Sequence, residues 1–528
     1  MAKEISEEVR AEIIALRDGA ISGFQKHLME FIELERGYIN VLSNAQRKSL
    51  IRRQKSALTP NLIKPKVDLL VRDVMKSFFS SDELAEITEY DGSNENDKKT
   101  TVALVKELKD FSRDRNLYSK CKPVVRDSLV YGTAISKVYW SSRENTVKIE
   151  QPKLDSIYLD PYAPSIHDIR FLVHRVNSMT IADLEAQYRV PIDWERYVND
   201  SLIGNQQYNQ SYDINKYKRI EFHEVYRKKG NKWYVTTILN DDTILRLDKY
   251  LKDGLPFIPS VLDPQFVMLS EPVMPTRAYG GAFIAPLLSL QKEHTVKRNQ
   301  QIDATDIQLN QRFITTKNSG LREDDLASNR KKIVVDDIAN IRELPIPRLN
   351  DSIFDTNKVE AEAEQISGVT KFSQGIIAGR EKTAREVRAI ENQGSSVVDD
   401  LNRAFNENFF RPLIRRIVML IYKYKSSVNF VGIDRSRGLR HKIIINVGVG
   451  STNKLIASEN NDVAINSVMQ SIQAFLQIND IERAKKYALM LDELNMEKMK
   501  LLGQDTIIEK VKKAEEEAEG EKENAEIQ

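Results

Sequence analysis

Apolar residues recur at helical spacing from the start of the chain. Ile13, Ile14, Phe24, Leu28, Phe31, Ile32 and Leu42 predict helices over 5–55. The stretch PNLIKPKVDLLVRDVMKSFF (60–79) opens with two prolines and then carries a stripe at Val67, Leu70, Val71, Val74 and Phe78. That is an amphipathic helix entered through an irregular segment. A polar loop, DGSNENDKK (91–99), precedes a further helix over roughly 100–130. From about 133 the period changes. TAISKVYW, TVKIEQ, SIYLDP and IRFLVHRV are rich in β-branched and aromatic residues and are punctuated by turn residues, which predicts strands. A short helix at 180–188 takes Thr180 as its N-cap. Residues 219–247 read as a meander with turns at Gly230-Asn231 and Asn240-Asp241-Asp242.

The second half has a different texture. Residues 255–279 are irregular, broken by Pro256, Pro259, Pro264, Pro272 and Pro275, and end in Tyr279-Gly280-Gly281. A long helix is predicted over about 282–313. Its first turns are apolar (Phe283, Leu287, Leu288, Leu290), but beyond Gln291 only Val296, Ile302, Ile307, Leu309 and Phe313 interrupt a polar surface. Burial in its own domain cannot stabilise such a helix, so it is expected to bridge units or pack on copies of itself. Its span would be about 45–50 Å. FITTKNSG, KKIVVDD and ANIRELPIP (313–347) read as short strands in a module of about 35 residues, too small to be stable without partners. A helix over 352–368 returns from it. VTKFSQGIIAGREKTAREVRAI (369–390) then forms a glycine-containing loop that opens into the longest helix, about 384–425. One apolar face of that helix, Val387 through Ile417 to Tyr424, runs for about 60 Å. Gly394-Ser395-Ser396 predicts a kink in it, and Pro412 a second bend. VNFVGI and HKIIINVGV read as strands; from 456 the chain is helical and ends in the charged tail KVKKAEEEAEGEKENAEIQ, expected to be frayed or disordered. The fold class is α+β and multidomain.

Composition narrows the setting. A chain of 528 residues predicts about three to four domain-sized units. Hydrophobic content of 41% and charged content of 30% describe a folded, soluble chain. No apolar run reaches about 18 residues, so no transmembrane helix is predicted. The opening MAKEISEEVRAEII lacks the apolar core of a signal peptide. The single cysteine, Cys121, excludes a disulfide within one chain and fits a reducing compartment, with cytosolic assembly as the expectation. Net charge is +2 with both signs interspersed, which argues against tight non-specific DNA binding but not against DNA passing nearby.

Candidate chemistry is sparse. Gly375-Ile376-Ile377-Ala378-Gly379-Arg380 has neither the spacing nor the Lys-Ser/Thr pair of a phosphate-binding loop, and its isoleucines would block close approach of phosphate. VGVGSTNK (447–454) lacks them too and reads as a strand end and turn. None of the six histidines has metal-ligand spacing; His167, His174 and His294 read as surface or satisfied structural residues. Asp399-Asp400 and Asp336-Asp337 have no third ligand and read as solvated surface. Glu360, Glu362 and Glu364 alternate with alanine, as on a helix shared between subunits or on an exposed face. No catalytic residue, metal site or cofactor is predicted. Thr383-Ala384-Arg385-Glu386 is a capping box, with Thr383 capping the long helix and Glu386 reaching back. Gly375 and Gly379 give the preceding loop hinges.

The order of these parts resembles the portal proteins (head-to-tail connectors) of tailed double-stranded DNA bacteriophages. Local stretches agree: NLIKPKVDLLVRDVM, VVRDSLVYGTAISKVYW, KLDSIYLDPYAPSIHDIRFLVHRVNSMTIADLEAQY, and PFIPSVLDP followed by YGGAFIAPLLSLQ. The resemblance covers about 55–455; residues 1–55 carry no motif that it places. It implies a ring of about twelve copies, a dodecamer, at one capsid vertex. It also implies a wing (1–280 and 426–455), stem helices (281–313 and 352–368), a clip (314–351), a tunnel loop (369–383), a long kinked wing helix (384–425) and a helical crown with a charged tail (456–528). The implied partners are the terminase large subunit, major capsid and scaffolding proteins, a head-completion or tail adaptor protein, and duplex DNA passing without sequence specificity; no membrane is implied. Lys371, Arg380 and Lys382 become the DNA-facing candidates, the alternative being an interhelical turn packed on a neighbour. Arg322, Glu323, Asp324, Asp325, Arg330, Lys331 and Lys332 become either motor contacts or ordinary solvated surface. Two other readings stay open: a structural or scaffolding protein without a channel, and a DNA-packaging enzyme, which the missing Walker and acidic motifs disfavour.

Overall fold

The computed structural model describes residues 7–79, 84–89, 95–190, 219–239, 243–262, 278–309, 355–370, 397–435 and 441–445. It also describes short stretches at 313–315, 341–343 and 465–472, and positions 192, 338, 439, 487, 491 and 495. In chain order the elements are α1 (Glu7–Ile39), α2 (Asn44–Arg52), α3 (Ile63–Phe78), β1 (Ala85–Glu89), α4 (Glu95–Asp114), α5 (Leu117–Tyr131), β2 (Thr133–Ser141), β3 (Thr146–Glu150), β4 (Ile157–Leu159), β5 (Phe171–Val176) and α6 (Ile181–Tyr188). There follow β6 (Phe222–Lys229), β7 (Lys232–Ile238), β8 (Ile244–Tyr250), β9 (Phe257–Val261), α7 (Leu287–Leu309), β10 (Phe313–Thr315), β11 (Ile341–Glu343), α8 (Asn357–Ser367), α9 (Arg411–Tyr424) and β12 (His441–Ile445). The chain is α+β, divided into two compact units rather than three or four. One comprises Met1–Leu70, Val124–Lys137 and Glu150–Val397; the other comprises Val71–Pro123, Val138–Ile149 and Val398–Gln528.

The first unit is built on an antiparallel meander, β4-β5-β6-β7-β8. Gly230, at φ 60°, makes the turn between β6 and β7 that its Gly-Asn sequence predicts. α1 packs on β4, β5 and β6, burying Ile13, Ala20, Phe24, Phe31 and Leu34 at helical spacing. Within the N-terminal region that no motif could place, α1 is therefore a lid on the sheet's apolar core. α6 begins at the predicted Thr180 cap, where Thr180 and Asp183 form a reciprocal capping box. Its Ile181 and Leu184 join Phe222, Leu239 and Leu245 in one cluster.

The second unit joins α4, the helical chain from 398 to 424 and the β1–β12 pair, in which Ala85 faces Ile445 and Glu89 faces His441. α9 buries Leu413, Ile417 and Leu420 on one face, and α4 packs against it with Leu104, Leu108 and Phe111.

Several sequence expectations need correction. The predicted helix at 100–130 is two helices, separated where Asn116 adopts φ 50°, and the first begins earlier, at Glu95, inside the expected polar loop. Its acidic first turn, Glu95 and Asp97, favours that start. Within the irregular stretch at 255–279 lies β9, which pairs with β2 from Thr133↔Val261 to Lys137↔Phe257. Pro259 is tolerated because, among the described residues, β9 pairs on one side only, with β2. The long helix starts at Leu287 rather than 282, and Phe313 belongs to a strand. VNFVGI is a single 3-10 turn, Val428–Phe430, in which only Phe430 is buried while Val428 stays 87% exposed. β1 had no counterpart in the sequence expectations. The bend expected at Pro412 is a π-helical turn at Asn406–Phe410, where the Arg411 N–H bonds to the Asn406 carbonyl. Shifting the register by one residue accommodates a proline, which has no N–H and whose ring crowds the carbonyl four residues back. The kink expected at 394–396 lies outside the described residues.

Candidate functional site

The stretch that delivers the chain into α7 is built by glycines. Gly132 has φ +74°, and a Cβ there would run into the backbone of Gly280 and Gly281. A Cβ on Gly280 would meet Val261 Cγ1 at 2.5 Å and the Gly132 carbonyl oxygen at 2.6 Å. The Gly280 N–H donates to Thr133 Oγ1 at 2.8 Å. The Gly-Thr of VYGTAIS and the Gly-Gly of YGGAF are thus two halves of one backbone contact that no side chain could enter. Tyr279 beside it is packed by Phe24 and Phe31 and accepts the Leu159 N–H at 3.3 Å.

The polar helix α7 is held from within its own unit, against expectation. Gln291 Oε1 accepts from the Leu62 and Ile63 N–H groups (2.7 and 3.1 Å), and its Nε2 donates to the Pro60 carbonyl at 2.7 Å. Asn299 accepts the Leu58 N–H and donates to the Leu58 carbonyl, both at 2.8 Å. Asp303 accepts the Ser56 N–H at 2.7 Å. Thr295 Oγ1 accepts from Asn40 Nδ2 at 3.1 Å. Gln291, Thr295, Asn299 and Asp303 recur every four residues, so one helix face reads out the backbone of an extended segment. Gln291, Asn299 and Asp303 thereby satisfy peptide groups between Ser56 and Ile63, while Thr295 holds the Asn40 side chain. The period-four run of amide, hydroxyl and carboxylate side chains was present in the sequence and could have identified the segment's neighbour.

A second stripe of α7 meets α8. His294 Nε2 lies 3.2 Å from Glu360 Oε1, and Val359 and Ala363 are buried. His294 thus joins α7 to α8 through Nε2, while its buried Nδ1 has no hydrogen-bond partner among the described residues. α8 ends at Gly368 in the left-handed conformation, φ 67°. A Cβ there would meet Val397 Cγ2 at 2.6 Å. Lys66, 2% exposed, donates to the Val369 carbonyl at 2.6 Å. The chain leaving α8 at Gly368 therefore lies against Val397. β10 pairs with β11, with Phe313 opposite Glu343 and Thr315 opposite Ile341.

Lys371, Gly375, Gly379, Arg380, Lys382, Thr383 and Glu386 all lie outside the described residues. So do Arg322, Glu323, Asp324, Asp325, Arg330, Lys331 and Lys332.

One buried cluster was not anticipated. Glu224 on β6 accepts from Lys137 Nζ at 2.7 Å and from Tyr226 Oη at 2.8 Å, lies 3.2 Å from His174 Nδ1, and has Arg246 at 3.7 Å. Burial by itself would raise its carboxyl, but Lys137 and His174 hold it well below the usual carboxylate range. Burial lowers His174 against the opposing pull of Glu224. Perturbed groups of this sort mark active sites; here both carboxylate oxygens are already engaged by cations and a phenol, and the cluster ties β2 to the meander. His174 is the satisfied structural histidine that the sequence predicts. Cys121 is buried, which pushes its thiol up and leaves it protonated at neutral pH. Among the described residues no group of three acidic, histidine or cysteine side chains could hold a metal ion, and no helix is long and apolar enough to cross a membrane.

A family model described as Phage SU10 portal protein matches residues 141–528. The chain belongs to this portal family. The match takes in β3 to β12, both helices of the α7–α8 pair and everything after them, while α1, α2 and α3 precede it. Portal proteins are structural proteins of phages and not an enzyme family. No curated protein matches the chain.

Proposed function

We propose that this portal family member forms a ring at one capsid vertex, of about twelve copies, through whose channel genomic DNA is packaged and later ejected. The carrying observation is the family match over 141–528, which includes the polar helical pair and both of the segments that spring from it. In this reading α7 and α8 are stem helices, the segment between β10 and β11 is the clip, residues 369–383 are the tunnel loop and 456–528 form the crown. The wing comprises 1–280 and 426–455, with the long helix 384–425. Lys371, Arg380 and Lys382 face the DNA, and the charged clip residues 322–325 and 330–332 dock the terminase large subunit and afterwards a head-completion or tail adaptor protein. Capsid and scaffolding proteins surround the ring in the virion, and assembly takes place in the host cytoplasm. The reading is supported by α7, which carries Val296 and Leu309 52% and 78% exposed in the single chain, as a helix that packs on copies would. Near-neutral net charge fits DNA that slides rather than binds.

Negative-stain images of the purified chain should contain rings with an axial channel. A stable monomer at micromolar concentration and physiological salt would overturn the proposal. Charge reversal of Lys371, Arg380 and Lys382 together should reduce packaged or retained genome while rings still form; unchanged packaging would remove the tunnel-loop assignment.

A further inference from the structure

Between Arg36 and Val67 the chain has eight basic residues and no acidic one. Five of them, Arg47, Lys48, Arg52, Arg53 and Lys55, lie in or directly after α2, and all five are exposed. Among the described residues none of the five has an ion-pair partner. α2 is odd in another respect: its nine residues include no buried one, and Ile51 is 62% exposed. Helices this short are marginal in water unless something packs on them. The capping box of Ser43 and Gln46 supports it, and the segment after it is tied to α7 through the Ser56 and Leu58 N–H groups.

The same unit carries the opposite charge elsewhere. From Asp355 to Glu364 there are four acidic residues and one basic. Glu362 is exposed, Glu364 is half-buried, and among the described residues neither has an ion-pair partner. Ile366, one turn on from Glu362 along the same face, is 50% exposed. The two patches are fixed to different stripes of one helix. The segment following α2 is held by the Gln291–Thr295–Asn299–Asp303 stripe, whereas α8 is held through His294, about 60° round the helix from Gln291.

We propose that α2 of one copy docks on α8 of the next, basic against acidic, with Ile51 and Ile366 in the contact. This deepens the ring reading and rests on it. A patch that meets its own kind would bring like charges together on either helix, while the basic patch meeting the acidic one is attractive. Within the ring reading, which requires a head-to-tail contact, this pairs α2 of one copy with α8 of the next. A DNA duplex would also attract α2, but it would leave the acidic run and the two exposed isoleucines unexplained.

The test measures ring assembly of the purified full chain by mass photometry, across salt concentrations. The native chain should form rings that weaken as salt rises. Arg47→Glu, Arg52→Glu and Arg53→Glu together should shift the assembly midpoint at least ~tenfold in concentration, and so should Glu362→Lys with Glu364→Lys. Combining both sets should restore assembly to within about threefold of the native chain. Should a reversed variant unfold, as judged by circular dichroism, the neutral Arg52→Gln, Arg53→Gln variant decides through a weakened midpoint and a flatter salt dependence. Variants that assemble like the native chain, or losses that the combined set does not rescue, overturn the docking while the ring reading stands. Native assembly with loss of duplex DNA binding alone would reassign α2 to DNA. A native chain that stays monomeric overturns the ring reading and the docking together.

Discussion

Strand β6 and helix α7 belong to the same unit but are held by different forces. Phe222 and Val225 of β6 sit in apolar surroundings, and α1 covers the sheet with Phe24 and Phe31. α7 instead holds its neighbours through Gln291, Thr295, Asn299 and Asp303, each bonded to another segment of chain. The first arrangement uses up apolar surface; the second needs little of it. A helix secured by polar side chains on one stripe keeps its other faces free, which is why α7 can be ordered in one chain while Val296 and Leu309 remain exposed. The polar surface that sequence alone read as a demand for partners is partly satisfied at home.

The contrast can be broken at either end. The largest effect is expected for Phe24→Ala, because Phe24 is 5% exposed and packs against Phe31, Tyr158 and Tyr279. A loss of about 3–5 kcal/mol should appear in thermal or denaturant unfolding. A loss below about 1 kcal/mol would mean that α1 is no lid on the core. Gln291→Leu, which keeps the volume but removes the amide, should cost about 1–3 kcal/mol because the Leu62 N–H loses its acceptor. Hydrogen exchange should then accelerate at 56–63 while β5–β7 remain protected. Uniform acceleration would show that the stripe and the sheet unfold together.

The smallest change is expected from acid acting on the Lys137–Glu224–His174 cluster. His174 is held below its ordinary value of 6.5, chiefly by burial, so the unfolded chain binds its proton more readily than the folded one. Its contribution to stability is complete above about pH 6.5 and falls as the pH drops toward the folded value. Glu224, also held low in the folded chain, adds a loss of the same sign that begins near its ordinary value of 4.5. Unfolding midpoints measured from pH 8 down to pH 4 should therefore decline, beginning with the His174 step. His174→Gln should remove that first step, and an identical profile in the variant would exclude His174 as its source.

Much of the fold was legible because periodicity and turn chemistry act locally. The meander, the Gly230 turn, the Thr180 cap and the order of helices followed from residues within a few positions of one another. What local rules could not supply was anything that depends on a distant partner. β9 is a strand despite Pro259 because β2 offers it an edge; VNFVGI, with no such partner, is a turn despite its valines. Gly132 and Gly280 matter because their backbones meet 148 positions apart along the chain, and Glu224 is tolerable in a core only because Lys137 and His174 arrive from other strands. The sequence by itself determined the elements, their order and the family resemblance, since these reside in local pattern. Tertiary structure decided which polar groups are satisfied and which charges are left over, because a buried donor or acceptor is stable only where the fold brings it a partner.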